Sequence, residues 1–206
     1  HCIDVSHDMD AALVLIGILP TIRQSDLVLK NVSALRRYVA LNEQILRLRD
    51  GRPIRLAIDR AEPLRITHAD VMLEAATTSF QVHLQVPADA ALRFYDASLV
   101  ASAPVLAAAT NSPFLFGHRL WHETRVPLFE QAVATEAGTN APDSRVTFGC
   151  GYLHDSIAEH FEDAVRRFPV LLPLLSDEQP SRFPHLRLHN GTLWHWNRPL
   201  IGFDDD

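Results

Sequence analysis

Lysine is nearly absent from this chain. Lys30 stands alone among 19 basic residues, so the positive charge is almost wholly arginine. Arginine's planar fork suits bidentate contact with carboxylate and phosphate, although a genome-wide compositional bias gives the same pattern. Cysteine is also scarce. Cys2 and Cys150 form neither a metal-type spacing nor a disulfide framework, which points to a reducing cytoplasm. Long apolar runs are missing: the stretch 11–20 is too short to span a bilayer. Residues 1–10 are acidic rather than basic, so no signal peptide is expected. The chain opens on His1 with no initiator Met, as expected of a fragment or a processed chain. Glycine makes no phosphate loop, because Gly149-Cys150-Gly151 is short and lacks a following Lys-Ser/Thr. There is no nucleophile elbow. An excess of positive charge is lacking too. The net charge is -6, half of it from Asp204-Asp205-Asp206, which argues against a nucleic-acid surface.

What is present is a globular composition, 47% hydrophobic, with enough residues for one real core. The pattern predicts a buried strand at 11–19 and a helix over 33–49 capped by Ser33 and ended by Asp50-Gly51. Strands follow at 53–59 and 63–68. A long, mostly apolar helix over 87–110, with Pro104 as a kink point, is expected to pack on the sheet. Residues 117–140 show no sustained period and read as largely irregular. A strand at 145–148, a helix from Asp155 or Ser156 to Phe168, an exposed loop over 173–184 and a hairpin over 185–201 turning at Asn190-Gly191 complete the chain. The expected class is α+β, a single domain over 1–206, mainly antiparallel sheet with helices on one face.

The segment 77–86 carries the most information. It reads as a strand whose one face holds Gln81, His83 and Gln85. Phe80, Val82 and Leu84 form the other face, expected to pack beneath the following helix. Amide and imidazole groups donate and accept hydrogen bonds, and imidazole binds metal. The final hairpin repeats the pattern: His185, Arg187 and His189, then His195 and Asn197, alternate with apolar residues. The two elements together suggest one concave polar sheet face, against the plainer alternative of an exposed face with chance histidines. Arg119, Trp121, His122, Glu123 and Arg125 crowd a further stretch, its arginines serving as anion clamps or as loop salt bridges. His118 and His122 have zinc-like spacing but lack an intervening Glu, so zinc is not expected there.

Several segments together resemble the glutamate–cysteine ligase family 2 proteins, the bacterial and plant type carboxylate–amine ligases. They are Phe80-Gln81-Val82-His83-Leu84, Asn111-Ser112-Pro113-Phe114 and Arg119-Leu120-Trp121 in that order, with Gly17-Ile18-Leu19-Pro20-Thr21, the region 38–42 and Leu188-His189-Asn190-Gly191-Thr192. The resemblance implies a glutamine-synthetase-like fold in which a concave face holds ATP, Mg²⁺ and an amino-acid carboxylate. It implies nucleotide or substrate contacts from Gln81, His83, Arg119 and Arg125, with Arg187 and His189 completing the cleft and His83 as a metal ligand. It also implies small-molecule amino-acid substrates. The glutamate-bearing first strand and the Glu/Arg strand of the family are missing, so a central fragment of a ligase catalytic domain is expected, inactive in isolation. The rival reading is a non-catalytic binding or structural domain. A homodimer through the open edge of the C-terminal hairpin is the expected assembly.

Overall fold

A computed structural model describes residues 2–33, 36–60, 62–135 and 144–203. Helices α1 (Cys2–Asp8) and α2 (Arg36–Leu48) come first, followed by strands β1 (Ile54–Ile58) and β2 (Leu64–His68). Helix α3 (Ala91–Ala108) leads to the short strands β3 (Phe114–Leu115) and β4 (His118–Arg119). Helices α4 (Arg125–Ala132), α5 (Ala158–Arg167) and α6 (Pro184–Gly191) complete the order. The class is α+β, as expected, with two separate two-stranded antiparallel sheets among the described residues. No helix among the described residues is long and apolar enough to cross a membrane.

The main core forms around β1 and β2. Ile54, Leu56 and Ile58 are buried and alternate with exposed Arg55 and Ala57, the period-two pattern of a half-buried strand. Leu56 pairs with Ile66 and Ile58 with Leu64. Helix α4 crosses β1, burying Leu128 and Ala132 completely. Gln131 of α4 also closes the free edge of β1: it accepts the Ala57 N–H at 2.8 Å and donates to the Ala57 carbonyl at 3.2 Å. A side chain thus does what a neighbouring strand would do. Ile18, Leu27, Met72, Leu73 and Leu115 fill the same core.

Helix α2 ends where Asp50-Gly51 predicts. Both residues have positive φ (53° and 71°), and the Gly51 N–H returns to the Leu46 carbonyl at 2.8 Å. Helix α5 begins where Ser156 predicts: Ser156 Oγ accepts the Ala158 N–H, and Glu159 reaches back to the Ser156 N–H at 2.8 Å.

Other expectations are corrected. Residues 117–140 are not largely irregular up to 135. Phe116 and Gly117, both at positive φ, turn the chain between β3 and β4, and α4 follows. Residues 136–140 lie outside the described residues. The hairpin over 185–201 is replaced by α6. Phe183 takes a left-handed conformation (φ 50°) and Pro184 occupies the first helical turn, a favoured place for proline. With no hairpin there is no hairpin edge through which to dimerise. Residues 145–148 form no strand, although the Trp194 and Trp196 N–H groups bond the Arg145 and Thr147 carbonyls, each at 2.9 Å. Residues 11–19 and 77–86 also join no sheet. Val82 and Leu84 are exposed rather than packed beneath α3. Helix α3 forms over the expected span, with Pro104 inside it, yet buries only Tyr95. The sheet it was expected to cover is not assembled at 77–86.

Candidate functional site

Residues 15–17, 77–78 and 111–113 gather around the ion pair of Glu123 and Arg125. The chain from Asn111 to Pro113 runs beside 120–124. Ser112 N–H bonds the His122 carbonyl, and Thr124 N–H bonds the Ser112 carbonyl, both at 3.1 Å. This fixes Glu123 in a nearly closed position (7% exposed) beside fully buried Ser112. Its carboxylate accepts from Ser112 Oγ at 2.7 Å and from Asn111 N–H at 3.2 Å. It also takes a two-pronged contact from Arg125, Nε at 2.8 Å and Nη2 at 3.3 Å. The remaining nitrogen, Nη1, donates to the Thr78 carbonyl at 3.2 Å. Thr78 is tied from its other side too: its N–H donates to the Gly17 carbonyl at 2.9 Å and its hydroxyl to the Ile16 carbonyl.

Gly17 is required by close approach. A Cβ there would meet Asn111 Oδ1 at 2.7 Å, and Arg125 Cδ and Ser112 Cβ at 3.0 Å. Asn111 Nδ2 reaches the Leu15 carbonyl at 3.4 Å, while its Oδ1 is buried without a partner. The node therefore clamps the root of the 77–86 segment against the 11–19 segment. From this clamped root the chain runs out into solvent.

Gln81 and His83 lie on that emergent chain. Both are exposed, and His83 Nε2 sits 3.3 Å from Gln81 Oε1, so the expected common side is kept without a sheet. Arg119 is on β4. Its backbone N–H donates to Glu62 at 2.8 Å, and its guanidinium has no partner among the described residues. Arg125 is not a free clamp, because all its guanidinium nitrogens serve Glu123 and Thr78; of the two expected roles it fills the salt bridge.

Arg187 and His189 belong elsewhere. They sit on α6, which packs on α5. Arg187 lies 3.6 Å from Glu178, and buried His189 contacts the Ala164 carbonyl at 3.2 Å through Nε2. The shared polar sheet face expected for these residues and His83 does not form.

Sequence reasoning passed over two features. Glu123 appeared only as one of several charged residues in a crowded stretch. The signal that would have singled it out is the pairing of a small hydroxyl residue, Ser112, with an acid and an arginine two apart. The second feature is a buried chain of hydrogen bonds. His160 Nδ1 lies 3.2 Å from Tyr95 Oη, and His160 Nε2 lies 3.4 Å from His195 Nδ1. Tyr95 Oη donates to the Phe148 carbonyl at 3.3 Å. Burial pushes the His160 pKa down to about 4, with the Arg198 guanidinium adding to the effect. Burial pushes His195 down to about 3, helped by His160 and Arg198. Burial also raises the Tyr95 pKa. These groups are neutral and structural at ordinary pH.

No three His, Cys, Asp or Glu side chains converge to hold a metal ion among the described residues. Mg²⁺ asks for about six oxygen ligands, usually including carboxylate. Gln81, His83 and Gln85 offer amide and imidazole only, and the Glu123 lone pairs are already engaged. The described residues therefore do not make a Mg²⁺ site by themselves. They do offer unengaged donors to an anionic group, at Arg119, Gln81 and Gln85.

The chain matches the family described as glutamate-cysteine ligase family 2 over residues 4–155. It belongs to that family. The match spans the Glu123 node and the 77–86 segment, and stops before α5 and α6. Membership points to ligase chemistry of the ATP-dependent carboxylate–amine kind. Comparison with curated proteins and with solved structures gave no match.

Proposed function

We propose that the full-length protein to which this chain belongs acts as a glutamate–cysteine ligase, joining the glutamate side-chain carboxylate to the cysteine amine at the expense of ATP, while this chain alone has no turnover. In that reaction the carboxylate oxygen takes the terminal phosphoryl group of ATP and releases ADP. The amine nitrogen then attacks the acyl carbon, and inorganic phosphate leaves. The observation that carries the reading is the Glu123–Arg125 node, where Asn111 and Ser112 meet Glu123 and Thr78 meets Arg125, clamping the root from which Gln81 and His83 are presented outward.

The roles follow from the chemistry of each side chain. The Arg119 guanidinium pairs with a carboxylate or phosphoryl group in two-pronged fashion. Gln81 donates to phosphoryl oxygens, and the His83 ring donates or accepts beside it. Arg125 is a positioning residue that holds the segment through Thr78. Mg²⁺ would need carboxylates beyond those the node leaves free, and no step is assigned to it. The free thiols of Cys2 and Cys150, both exposed, fit a reducing compartment, and the cytoplasm is the proposed location.

The second reading, a binding domain without turnover, is favoured by the lack of a metal-holding cluster among the described residues. The test is phosphate release from ATP by the purified full-length protein with glutamate and cysteine present together and singly, with the dipeptide product read by mass spectrometry. Release that needs both amino acids and falls at least about tenfold in His83→Ala and Arg119→Ala supports the ligase; tenfold is about 1.4 kcal/mol of transition-state stabilisation. ATP binding with no dependent release favours the binding domain. Absence of both sinks the proposal.

A further inference from the structure

Residues 20–24, two residues of β2 and the turn 116–118 border an open pocket of about 560 Å³. None of the roles assigned above uses it. Its size falls within the range of small-molecule sites, about 300–1,000 Å³. Local geometry builds it. The Ile22 N–H closes a turn on the Leu19 carbonyl at 3.1 Å, and the Arg23 N–H is held by Asp26 Oδ2 at 2.9 Å. Phe116 and Gly117, both at positive φ, bring His118 to the same pocket.

The lining has two chemistries. Ile22, Ile66 and Phe116 are half-buried, and each packs on the main core while also lining the pocket. Thr21, Arg23, Gln24 and His118 add a hydroxyl, a guanidinium, an amide and an imidazole. None of these four side-chain groups has a partner among the described residues. A few unengaged polar groups converging on an apolar patch is the composition of a ligand pocket.

The charge selects the ligand. Arg23 is the only Arg or Lys of the lining, which holds no Asp or Glu. Asp26, the nearest acid in sequence, is turned to the Arg23 backbone. One guanidinium pairs with a carboxylate through two parallel bonds and balances a single negative charge, whereas a phosphate dianion would keep one charge uncompensated.

We infer that this pocket binds a small monocarboxylate with an apolar body. The carboxylate sits on Arg23, with Thr21, Gln24 and His118 as further donors, and the body lies on Ile22, Ile66 and Phe116. The proposal does not depend on the ligase reading, which gives these residues no role. Glutamate lacks the apolar body that the lining asks for.

Calorimetric titration of the full-length protein with hexanoate gives the test. A ligand of this size in such a pocket reaches a Kd of about 1 mM. Arg23→Gln should weaken binding by at least about tenfold, and Arg23→Lys, which keeps the charge but not the fork, by less. Arg23 is exposed, so neither variant threatens the fold. Hexan-1-ol, with the same body and no charge, should bind at least about tenfold more weakly. Arg119→Gln, which alters the proposed ligase site, should leave hexanoate binding unchanged, and excess glutamate should not displace it. No saturation by about 10 mM hexanoate, or binding unchanged in Arg23→Gln, overturns the inference. Loss of binding in Arg119→Gln or displacement by glutamate also overturns it, by placing the carboxylate in the ligase site. Inorganic phosphate binding more tightly than hexanoate overturns the choice of ligand.

Discussion

Removing the Glu123 carboxylate tests the clamp directly. In Glu123→Ala, the Ser112 hydroxyl and Asn111 N–H lose their acceptor in a closed site, and Arg125 keeps only Thr78. Breaking a fully buried ion pair costs about 3–5 kcal/mol, and breaking an exposed one about 0.2–1 kcal/mol. The pair here is intermediate, with the Glu123 side chain 8% exposed and that of Arg125 22%. The expected loss is therefore about 2–3 kcal/mol, or a fall in Tm of roughly 4–12 °C for a chain of this size. Glu123→Gln keeps the shape and one acceptor and should lose about 1–2 kcal/mol. The cycle of Glu123→Ala with Arg125→Ala should show a coupling of about 1–2 kcal/mol, because the two residues share one interaction. Urea unfolding midpoints supply these numbers. Hydrogen exchange at the Thr78 N–H supplies the local readout, which should accelerate more than the global loss of stability accounts for. A Glu123→Ala variant within about 0.5 kcal/mol of the parent, or a coupling near zero, refutes the clamp.

Other consequences are also measurable. Gly17→Ala should destabilise by about 1–3 kcal/mol, because the added methyl meets Asn111, Ser112 and Arg125 in a packed site; thermal unfolding reads it. Val82→Asp should leave the stability of the single chain within about 0.5 kcal/mol, since Val82 packs on nothing; a larger loss would mean the segment is buried in solution. Acid should destabilise through His160 and His195. Both stay neutral in the folded chain down to about 4 and about 3, whereas the unfolded chain protonates them near 6.5. Their stability is fully present above about pH 6.5 and is lost as pH falls from there towards 3, by about 3 kcal/mol for His160 and about 4 kcal/mol for His195 taken singly, and by less than their sum for the coupled pair. His160→Phe should flatten that part of the pH profile, and an unchanged profile counts against it. Tyr95→Phe should cost about 1 kcal/mol by removing the hydroxyl that joins His160 to Phe148.

The elements that could be read in the sequence are those whose signals are local. Helix α2 announced itself by periodicity and the Asp50-Gly51 stop. Helix α5 did so by Ser156 and Glu159, and β1 by its alternation of isoleucine and leucine with arginine and alanine. The misreadings share one cause. Alternation over five or six residues records only that apolar and polar residues take turns; a partner strand must be supplied by other parts of the chain. His185 to His189 alternate as well as Gln81 to Gln85 do. In the former, Pro184 at the helix start decided the matter and should have outweighed the Asn190-Gly191 turn signal. In the latter, no segment among the described residues offers a ladder, so the stretch joins no sheet. The buried Tyr95–His160–His195 chain left no local trace, because its members are 35 residues or more apart in sequence.

The family-like segments were legible as positions but not as roles. Asn111-Ser112-Pro113-Phe114 and the arginine-rich stretch after it invite a reading as ligand-binding groups, since arginine and asparagine are what phosphate and carboxylate sites use. The geometry assigns them differently. Ser112, Glu123 and Arg125 spend their hydrogen bonds on one another and on Thr78, and Gly17 is small because Asn111 and Ser112 leave no room for a methyl. Residues that hold a reactive segment in place are as intolerant of change as those that touch substrate, because a shift of about 1 Å in a positioned group can cost a hundredfold in rate. A motif can therefore mark the support of a site, and in the proposed function the groups that meet the ligand sit on the segment it supports. Kinetics of the full-length protein separates the two roles. Changes at Glu123 should lower stability and turnover together, and Glu123→Gln should recover part of both. Changes at His83, which is exposed and bonded only to Gln81, should lower turnover with stability untouched. If His83→Ala destabilises the chain as much as Glu123→Ala does, the division between support and site is wrong.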